Sequence, residues 1–273
     1  MATTAASRKR IAQGREAEIF EYGEGRVLRL YRDGTSPATA EYQATVLRAA
    51  AAAGVRVPTV YGVETFEGRP AIVMERIVGD DILELIARNP WRIWSLTSLC
   101  ARLQATLHDV TAPSSLPSTL DSHRRRISGN ADAPAEYAAA ALARLDTLPD
   151  GDRLLHGDFH PANVMLAAAG PVIIDWGNTT RGSPEADFAR SDMMLHLGEP
   201  PEGAPWLIRF GARFARTLMI GTYNKAYRKA RAVDQSLVRS WQLPVAVSRL
   251  SEGIAPERSK LLKLISELIA RDA

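Results

Sequence analysis

The stretch RLLHGDFHPANVMLAAAGPVIIDWG, residues 153–177, brings His156, Asp158, His160, Asn163 and Asp175 together around two short apolar runs. Two chemistries could use such a set. In one, His156, Asp158 and His160 alternate as on one face of a strand and ligate zinc, which takes imidazole and carboxylate donors. The Gly and Pro in GDFHPAN make this segment a loop, so strict alternation fails, and only His108, His123 and His196 remain elsewhere. In the other, Asp158 orients and deprotonates a hydroxyl, while Asn163 and Asp175 are oxygen ligands for magnesium bound to nucleotide phosphates. Phosphoryl transfer is mostly positioning and charge neutralisation, so it calls for a carboxylate near the acceptor and hard oxygen donors at the metal.

The elements that must position these residues can be read along the chain. Residues 10–75 read as strands around one helix. AEIFEYGEGRVLRLYR holds two β-like runs, 17–22 and 26–31, joined by Gly23-Glu24-Gly25. Ser36 then offers an N-cap and Pro37 a first helical residue for an Ala-rich helix that Gly54 ends. PTVYGVETFEGRPAIVMERI is a second strand pair turning at Glu67-Gly68, which gives the order β-β-α-β-β. From Gly79 onward helices dominate: DDILELIARN, then a run in which Trp91, Trp94, Leu96, Leu99, Leu103 and Leu107 keep a helical period. A loop over 111–118 and a polar segment precede the helix of PAEYAAAALARLDTL. Two short β-like runs, Val164–Leu166 and Val172–Ile174, lie inside the opening stretch. Helices over roughly 184–197, 204–230, 234–252 and 255–271 finish the chain. The expected fold is α+β in two lobes, a small antiparallel-sheet lobe with one helix (1–76) and a larger, mostly helical lobe (77–273).

Asn163 follows Asp158 by five residues, the spacing of the kinase loop H-R-D-x-x-x-x-N, and Asp175-Trp176-Gly177 stands where D-F-G would follow. With HGDFHPANVM and IIDWGNTTRGSPEADFA in this order, the chain resembles the aminoglycoside phosphotransferase-like family, which shares the two-lobed protein-kinase-like fold. The resemblance implies that Asp158 is the catalytic base and that Asn163 and Asp175 hold magnesium. It implies that Asp187, the Asp of G-x-P-x-x-D, is structural and pins the catalytic-loop backbone. His156 is then a packing and hydrogen-bonding residue, and His160, at the place of a loop lysine, touches the transferring phosphate. No A-P-E triplet or activation segment follows Asp175, so a small-molecule hydroxyl is the expected acceptor rather than a protein.

Kinase-like small lobes use a Gly-rich hairpin over the phosphates and a strand lysine paired to a helix glutamate. The hairpin here is AQGREAEIF, with Gly14 at its turn, and it lacks G-x-G-x-x-G. Arg29 stands in the lysine's place, with Glu41 as its expected partner, the one acid in residues 37–53. Arginine pairs bidentately with a carboxylate but is not interchangeable with an ammonium. By the same resemblance the nucleotide base lies against IVMERIVG, with backbone groups of Glu75 to Ile77 reading its edge and Met74 lining the pocket.

Lys and Arg exceed Asp and Glu by three (34 against 31) in 273 residues, too small and scattered an excess to argue for nucleic acid. The basic runs SRKR and HRRR (123–126) read as solvated surface. Cys100 is the one cysteine and lies in an apolar helical pattern, as a buried packing residue would. The N-terminus lacks the apolar region of a secretory signal, and no run approaches the ~20 apolar residues of a bilayer span, so the expectation is a soluble, cytoplasmic protein without a membrane partner. For the acceptor, Asp192, Glu199 and Glu202 could supply charge, and Trp206, Tyr223, Tyr227 and Trp241 could stack on a sugar or cation. At helical spacing such aromatics are equally core residues. The expected activity is transfer of a phosphoryl group from ATP or GTP, with Mg2+, to an aminoglycoside, sugar or amino alcohol. The alternative, raised by Arg29 and the sparse glycines, is a non-catalytic pseudokinase that binds nucleotide and acts through a protein partner.

Overall fold

The computed structural model describes residues 8–14, 16–198 and 206–272, the last segment with side chains over 211–271. Chain order runs β1 (Arg10–Gln13), β2 (Ala17–Glu21), β3 (Arg26–Tyr31), α1 (Pro37–Ala52), β4 (Val60–Phe66), β5 (Arg69–Glu75), β6 (Gly79–Asp81), α2 (Ile82–Arg88) and α3 (Ile93–Leu107). It continues with α4 (Thr119–Ser128), α5 (Ala135–Leu145), β7 (Arg153–Leu155), β8 (Val164–Ala167), β9 (Gly170–Ile173) and β10 (Thr180–Gly182). Four helices follow: α6 (Pro184–Leu197), α7 (Trp206–Ala230), α8 (Gln235–Leu250) and α9 (Ala255–Asp272). Two compact units emerge, Met1–Asp81 with Ala162–Gly177, and Ile82–Pro161 with Asn178–Ala273. The segment that carries Asn163 and Asp175 thus groups with the first unit, a feature a single boundary at 76/77 does not capture. Its cause is the pairing of β6 with β8.

In the first unit five strands pair antiparallel in the order β1-β2-β3-β5-β4. β3 is central, and its sequence RVLRLY alternates as a strand covered on both faces must. Val27 and Tyr31 pack with Ala40 and Ala44 of α1, whereas Leu28 and Leu30 pack with Phe20, Ala71 and Val73 on the other face. Arg29 shares the α1 face by the same two-residue period. Ser36 caps α1 by accepting from the Ala38 N–H, and Pro37 occupies the first turn where no donor is needed. The β4–β5 turn places Glu67 and Gly68 at φ 52° and 78°, consecutive left-handed residues of the kind a tight hairpin demands. β1, whose residues are all exposed, and the three-residue GDD strand β6 have no apolar alternation to announce them. A second antiparallel sheet runs β6-β8-β9, with Gly79 opposite Ala167 and Val164 opposite Ile173.

In the second unit β7 and β10 form a short antiparallel ladder, Leu155 opposite Thr180. The residues read as a polar segment before α5 form α4, which turns His123 and Ile127 inward and leaves part of HRRR solvated. Arg126 reaches the Asn178 side chain at 2.6 Å, so that run is not simply surface. Tyr223, Tyr227 and Trp241 are fully buried, and Phe188 packs on both tyrosines, so these aromatics are core and not an acceptor platform. Cys100 is likewise buried and free, and burial pushes its thiol pKa up. Trp91 and Trp94 keep the helical period yet face solvent. Among the described residues no helix is long and apolar enough to cross a membrane.

The deepest charge in this unit is Asp187, in the first turn of α6. Its Oδ1 accepts from the Gly157 N–H (2.7 Å), and its Oδ2 from the His156 N–H (3.3 Å) and the Gln104 amide (3.1 Å). His108 Nε2 lies 3.0 Å from Oδ2, and its Nδ1 meets the Tyr227 hydroxyl, so the partners assign Nε2 as donor and Nδ1 as acceptor. Burial pushes the carboxyl up, but the His108 bond, the nearby His156 and Gln104 outweigh it and hold Asp187 at about 2. An unfolded Asp titrates near ~4. The resulting stabilisation, on the order of 2 kcal/mol, is therefore present above ~pH 4 and lost as pH falls through ~2. Wild type should exceed Asp187→Asn in urea-unfolding stability at about pH 6, and the gap should narrow toward about pH 3. A gap independent of pH would mean that the carboxylate charge is not what holds the loop.

Candidate active site

In the first unit the site begins at β3. Arg29 Nη2 lies 3.1 Å from Asp175 Oδ1 and 3.7 Å from Glu16 Oε2. Glu41 does not pair with it. α1 buries the stripe of Ala40, Gln43, Ala44 and Leu47, which turns Glu41 to solvent. Gln43 instead accepts from the Tyr31 hydroxyl at 2.6 Å. The expected arginine–glutamate pair is thus replaced by an arginine that meets Asp175 directly, with Glu16 of the β1–β2 turn behind it. Burial pulls the Arg29 pKa down, but Asp175 more than offsets this, so the guanidinium stays charged.

Asp175 sits at φ 62°, a left-handed conformation that costs a non-glycine residue about 1 kcal/mol. Its side chain is 49% exposed, so the strained backbone serves to present a carboxylate to solvent. Asn163 is buried, and its carbonyl accepts from the Ile174 N–H at 2.9 Å, which ties it to the residue before Asp175. An amide and a carboxylate carried this way are the hard oxygen donors magnesium takes. Arg29 Nε is buried with no hydrogen-bond partner, a donor that a phosphate oxygen would satisfy. The residues present therefore fit a magnesium nucleotide.

Elsewhere in this unit Gly14 donates to the Ala17 carbonyl (2.9 Å) and accepts from Arg32 (2.9 Å), closing the short hairpin turn. Met74 lies in the core cluster with Val27, Ala44 and Ile72. The Glu75 side chain is taken up by Arg56 (2.6 Å) and Thr59 (3.1 Å), and the Arg56 hydrogen bond first of all draws its pKa to about 2. What Glu75 and Ile77 can offer a base is therefore main chain, at the end of β5.

In the second unit the loop after β7 carries Asp158. His156 is fully buried, its ring edge against Phe159, and its Nδ1 accepts from the Asp158 N–H at 3.2 Å. That role matches the packing and hydrogen-bonding part expected of it. Together with the Asp187 contacts at His156 and Gly157, it fixes the backbone on which the Asp158 side chain turns. Gly157 adopts φ 76°, and a Cβ there would fall 2.1 Å from the Asn178 carbonyl oxygen, so only glycine fits. No three His, Cys, Asp or Glu residues among those described are arranged to hold a metal, His156, Asp158 and His160 included.

The Asp158 carboxylate meets His160 and two arginines that sequence reasoning missed. Arg190 Nη2 of α6 lies 3.1 Å from Oδ1, Arg249 Nη1 of α8 lies 3.9 Å from the same oxygen, and His160 Nε2 lies 3.8 Å from Oδ2. Burial pushes Asp158 up, but Arg190, with His160 and His156, prevails and keeps it below the usual carboxylate range. Glu252, between α8 and α9, accepts from both Arg190 (2.7 Å) and Arg249 (3.0 Å). Sequence offers no distinct signal for Arg190, one of four charged residues in EADFARSDMM. Of the acids considered for the acceptor, Asp192 accepts from Asn224 (2.7 Å), while Glu199, Glu202 and the Trp206 side chain lie outside the described residues.

Comparison with known proteins agrees with this frame. A search of curated protein sequences finds no match. Among solved structures, a thermostable mutant of aminoglycoside phosphotransferase APH(4)-Ia, in ternary complex with ADP and hygromycin B, superposes with a TM-score of 0.66 at 16% identity, over 97% of this chain and 94% of that one. A putative fructosamine-3-kinase from Haemophilus somnus gives 0.63 at 14% identity, covering 96% and 90%. An aminoglycoside-3'-phosphotransferase of type VIII gives 0.59 at 19% identity, covering 86% and 90%. At these identities the likeness is one of fold, the kinase-like arrangement of a small antiparallel sheet and a larger helical part. Residues 7–233 match the model of the phosphotransferase enzyme family, and the chain belongs to that family.

Proposed function

We propose that this small-molecule kinase transfers the terminal phosphoryl group of ATP or GTP to a hydroxyl of an aminoglycoside, sugar or amino alcohol. The observation that carries the reading is the state of Asp158: a carboxylate held ionised beside Arg190, on a loop whose backbone Asp187 fixes. Asp158 accepts a hydrogen bond from the acceptor hydroxyl, aims its oxygen at phosphorus, and takes the proton as the new O–P bond forms. A carboxylate below the ordinary range is a weak ground-state base, so its main contribution is orientation, with proton transfer late. That suits a loose transition state in which little nucleophilic assistance is needed.

Asn163 and Asp175 are the residues that would hold magnesium, which when bound neutralises charge on the phosphate oxygens. Arg29 turns its unpartnered Nε to the α or β phosphate, Gly14 lies in the turn over the phosphates, and His160 touches the transferring group. The main chain of Glu75 to Ile77 reads the base edge. The names of similar structures support an amine-bearing or sugar acceptor: one is bound to hygromycin B and ADP, another is a putative fructosamine kinase. No observation favours the non-catalytic alternative.

A phosphoryl-transfer screen over aminoglycosides, sugars and amino alcohols, with ATP and with GTP, tests the reading; no transfer to any of them would reject it. Asp158→Asn should lower kcat by ~10²-fold or more with nucleotide affinity nearly unchanged. Activity within a few-fold of wild type would remove Asp158 as the base. Magnesium should strengthen nucleotide binding to wild type, and Asp175→Ala should abolish that dependence in a calorimetric titration with and without the ion. An unchanged magnesium effect would place the metal elsewhere.

A further inference from the structure

Arg190 is poorly explained by stability. It lies in the middle of α6 with 3% of its side chain exposed, yet Nε and Nη1 are buried without a hydrogen-bond partner, and Nη2 alone serves both Asp158 and Glu252. Desolvating a guanidinium and leaving two of its nitrogens idle is unfavourable, and an apolar side chain of similar length would fit the helix with less penalty. Residues that a fold keeps against its own stability cluster at functional sites.

The surroundings show what the position is for. Arg190 follows Asp187 by three residues, so both project from one face of α6. Asp187 takes the loop backbone at His156 and Gly157, and Arg190 takes the side chain of the next residue, Asp158. On its far side Arg190 is held by Glu252, which Arg249 also grips. Arg249 is itself locked by Glu257 of α9 through both ends of its fork (2.7 and 2.9 Å), and Arg126 of α4 stands 3.9 Å from Glu252. Four helices therefore converge on one carboxylate through three arginines and two glutamates.

We infer that Arg190 and Glu252 are positioning residues for the reaction: Arg190 fixes Asp158 by Oδ1 and turns Oδ2 to the His160 side, and Glu252 sets the angle of the Arg190 guanidinium. The inference rests on Asp158 acting as the base. Positioning of this kind acts on turnover rather than on binding, because a reacting group displaced by ~1 Å can cost 10²-fold.

The experiment uses the full chain with magnesium ATP and water standing in for the acceptor hydroxyl, following release of inorganic phosphate and ADP, beside calorimetric binding of magnesium AMP-PNP and the melting temperature of each variant. Arg190→Met and Glu252→Gln should lower kcat by ~10-fold or more, leave nucleotide affinity within about two-fold, and in Arg190→Lys part of the loss should be recovered. In an Asp158→Asn background, Arg190→Met should cause no further loss, because there is no base left to position. Losses that multiply, or that appear equally in affinity, would show a structural role only and overturn the inference. Should Arg190→Met fail to fold, Glu252→Gln and Arg190→Lys decide. A crystal structure of Glu252→Gln supplies a readout independent of turnover: Asp158 should move with Arg190, and an Asp158 left in place would refute the assignment. If Asp158→Asn itself kept full turnover, the base assignment would fall, whereas loss there with normal Arg190 and Glu252 variants would sink the positioning claim alone.

Discussion

A single buried carboxylate, Asp187, underlies the geometry of the second unit. Its desolvation is opposed by hydrogen bonds from two backbone amides, an amide side chain and an imidazole, so the charge is retained where burial alone would remove it. The consequence is mechanical. A loop containing Gly157 in a conformation only glycine tolerates is held to the first turn of α6, and Asp158 inherits a fixed origin. Tyr227 and Tyr223 extend the same network through His108 and Gln104 into α7, so the aromatic core and the loop share one set of hydrogen bonds.

Beyond that anchor, the site is organised by arginines that bind carboxylates inside their own unit. Arg29 meets Asp175 in the first unit, and Arg190 and Arg249 meet Asp158, Glu252 and Glu257 in the second. Each of these carboxylates therefore faces a guanidinium of its own unit. A planar fork reaches two acids at once, which an ammonium does less well, and Arg29 lies near both Asp175 and Glu16.

How far sequence could anticipate this differs by residue. The spacing of Asp158, Asn163 and Asp175 was legible because loops and short strands keep a motif in chain order. The Ser36-Pro37 start of α1, the hairpin turn at Glu67-Gly68 and the start of α6 at Pro184 were legible because capping and turn chemistry are local. β1 and β6 were not, since an exposed edge and a polar tripeptide carry no period. The partner of Arg29 was misjudged because a strand's facing residue depends on a helix rotation that a few buried alanines decide. Tyr223, Tyr227 and Trp241 could have served core or surface, and only packing resolves that choice. Arg190 is one of four charges in EADFARSDMM and does not stand out, and its partner Glu252 lies 62 residues away with no local rule to link them.

The interleaving of the two units bears on what can be cut from this gene. The chain passes from one unit to the other after Asp81, again after Pro161, and again after Gly177. No single contiguous fragment consists of the first unit alone, and a truncation ending at residue 81 would discard β8, the strand that pairs with β6. A free edge of three polar residues is a poor template for a sheet. Fragment expression, circular permutation or domain exchange here must therefore carry two pieces of sequence or none, and the sixteen residues from Ala162 to Gly177 behave as a module donated by one half of the gene to the other.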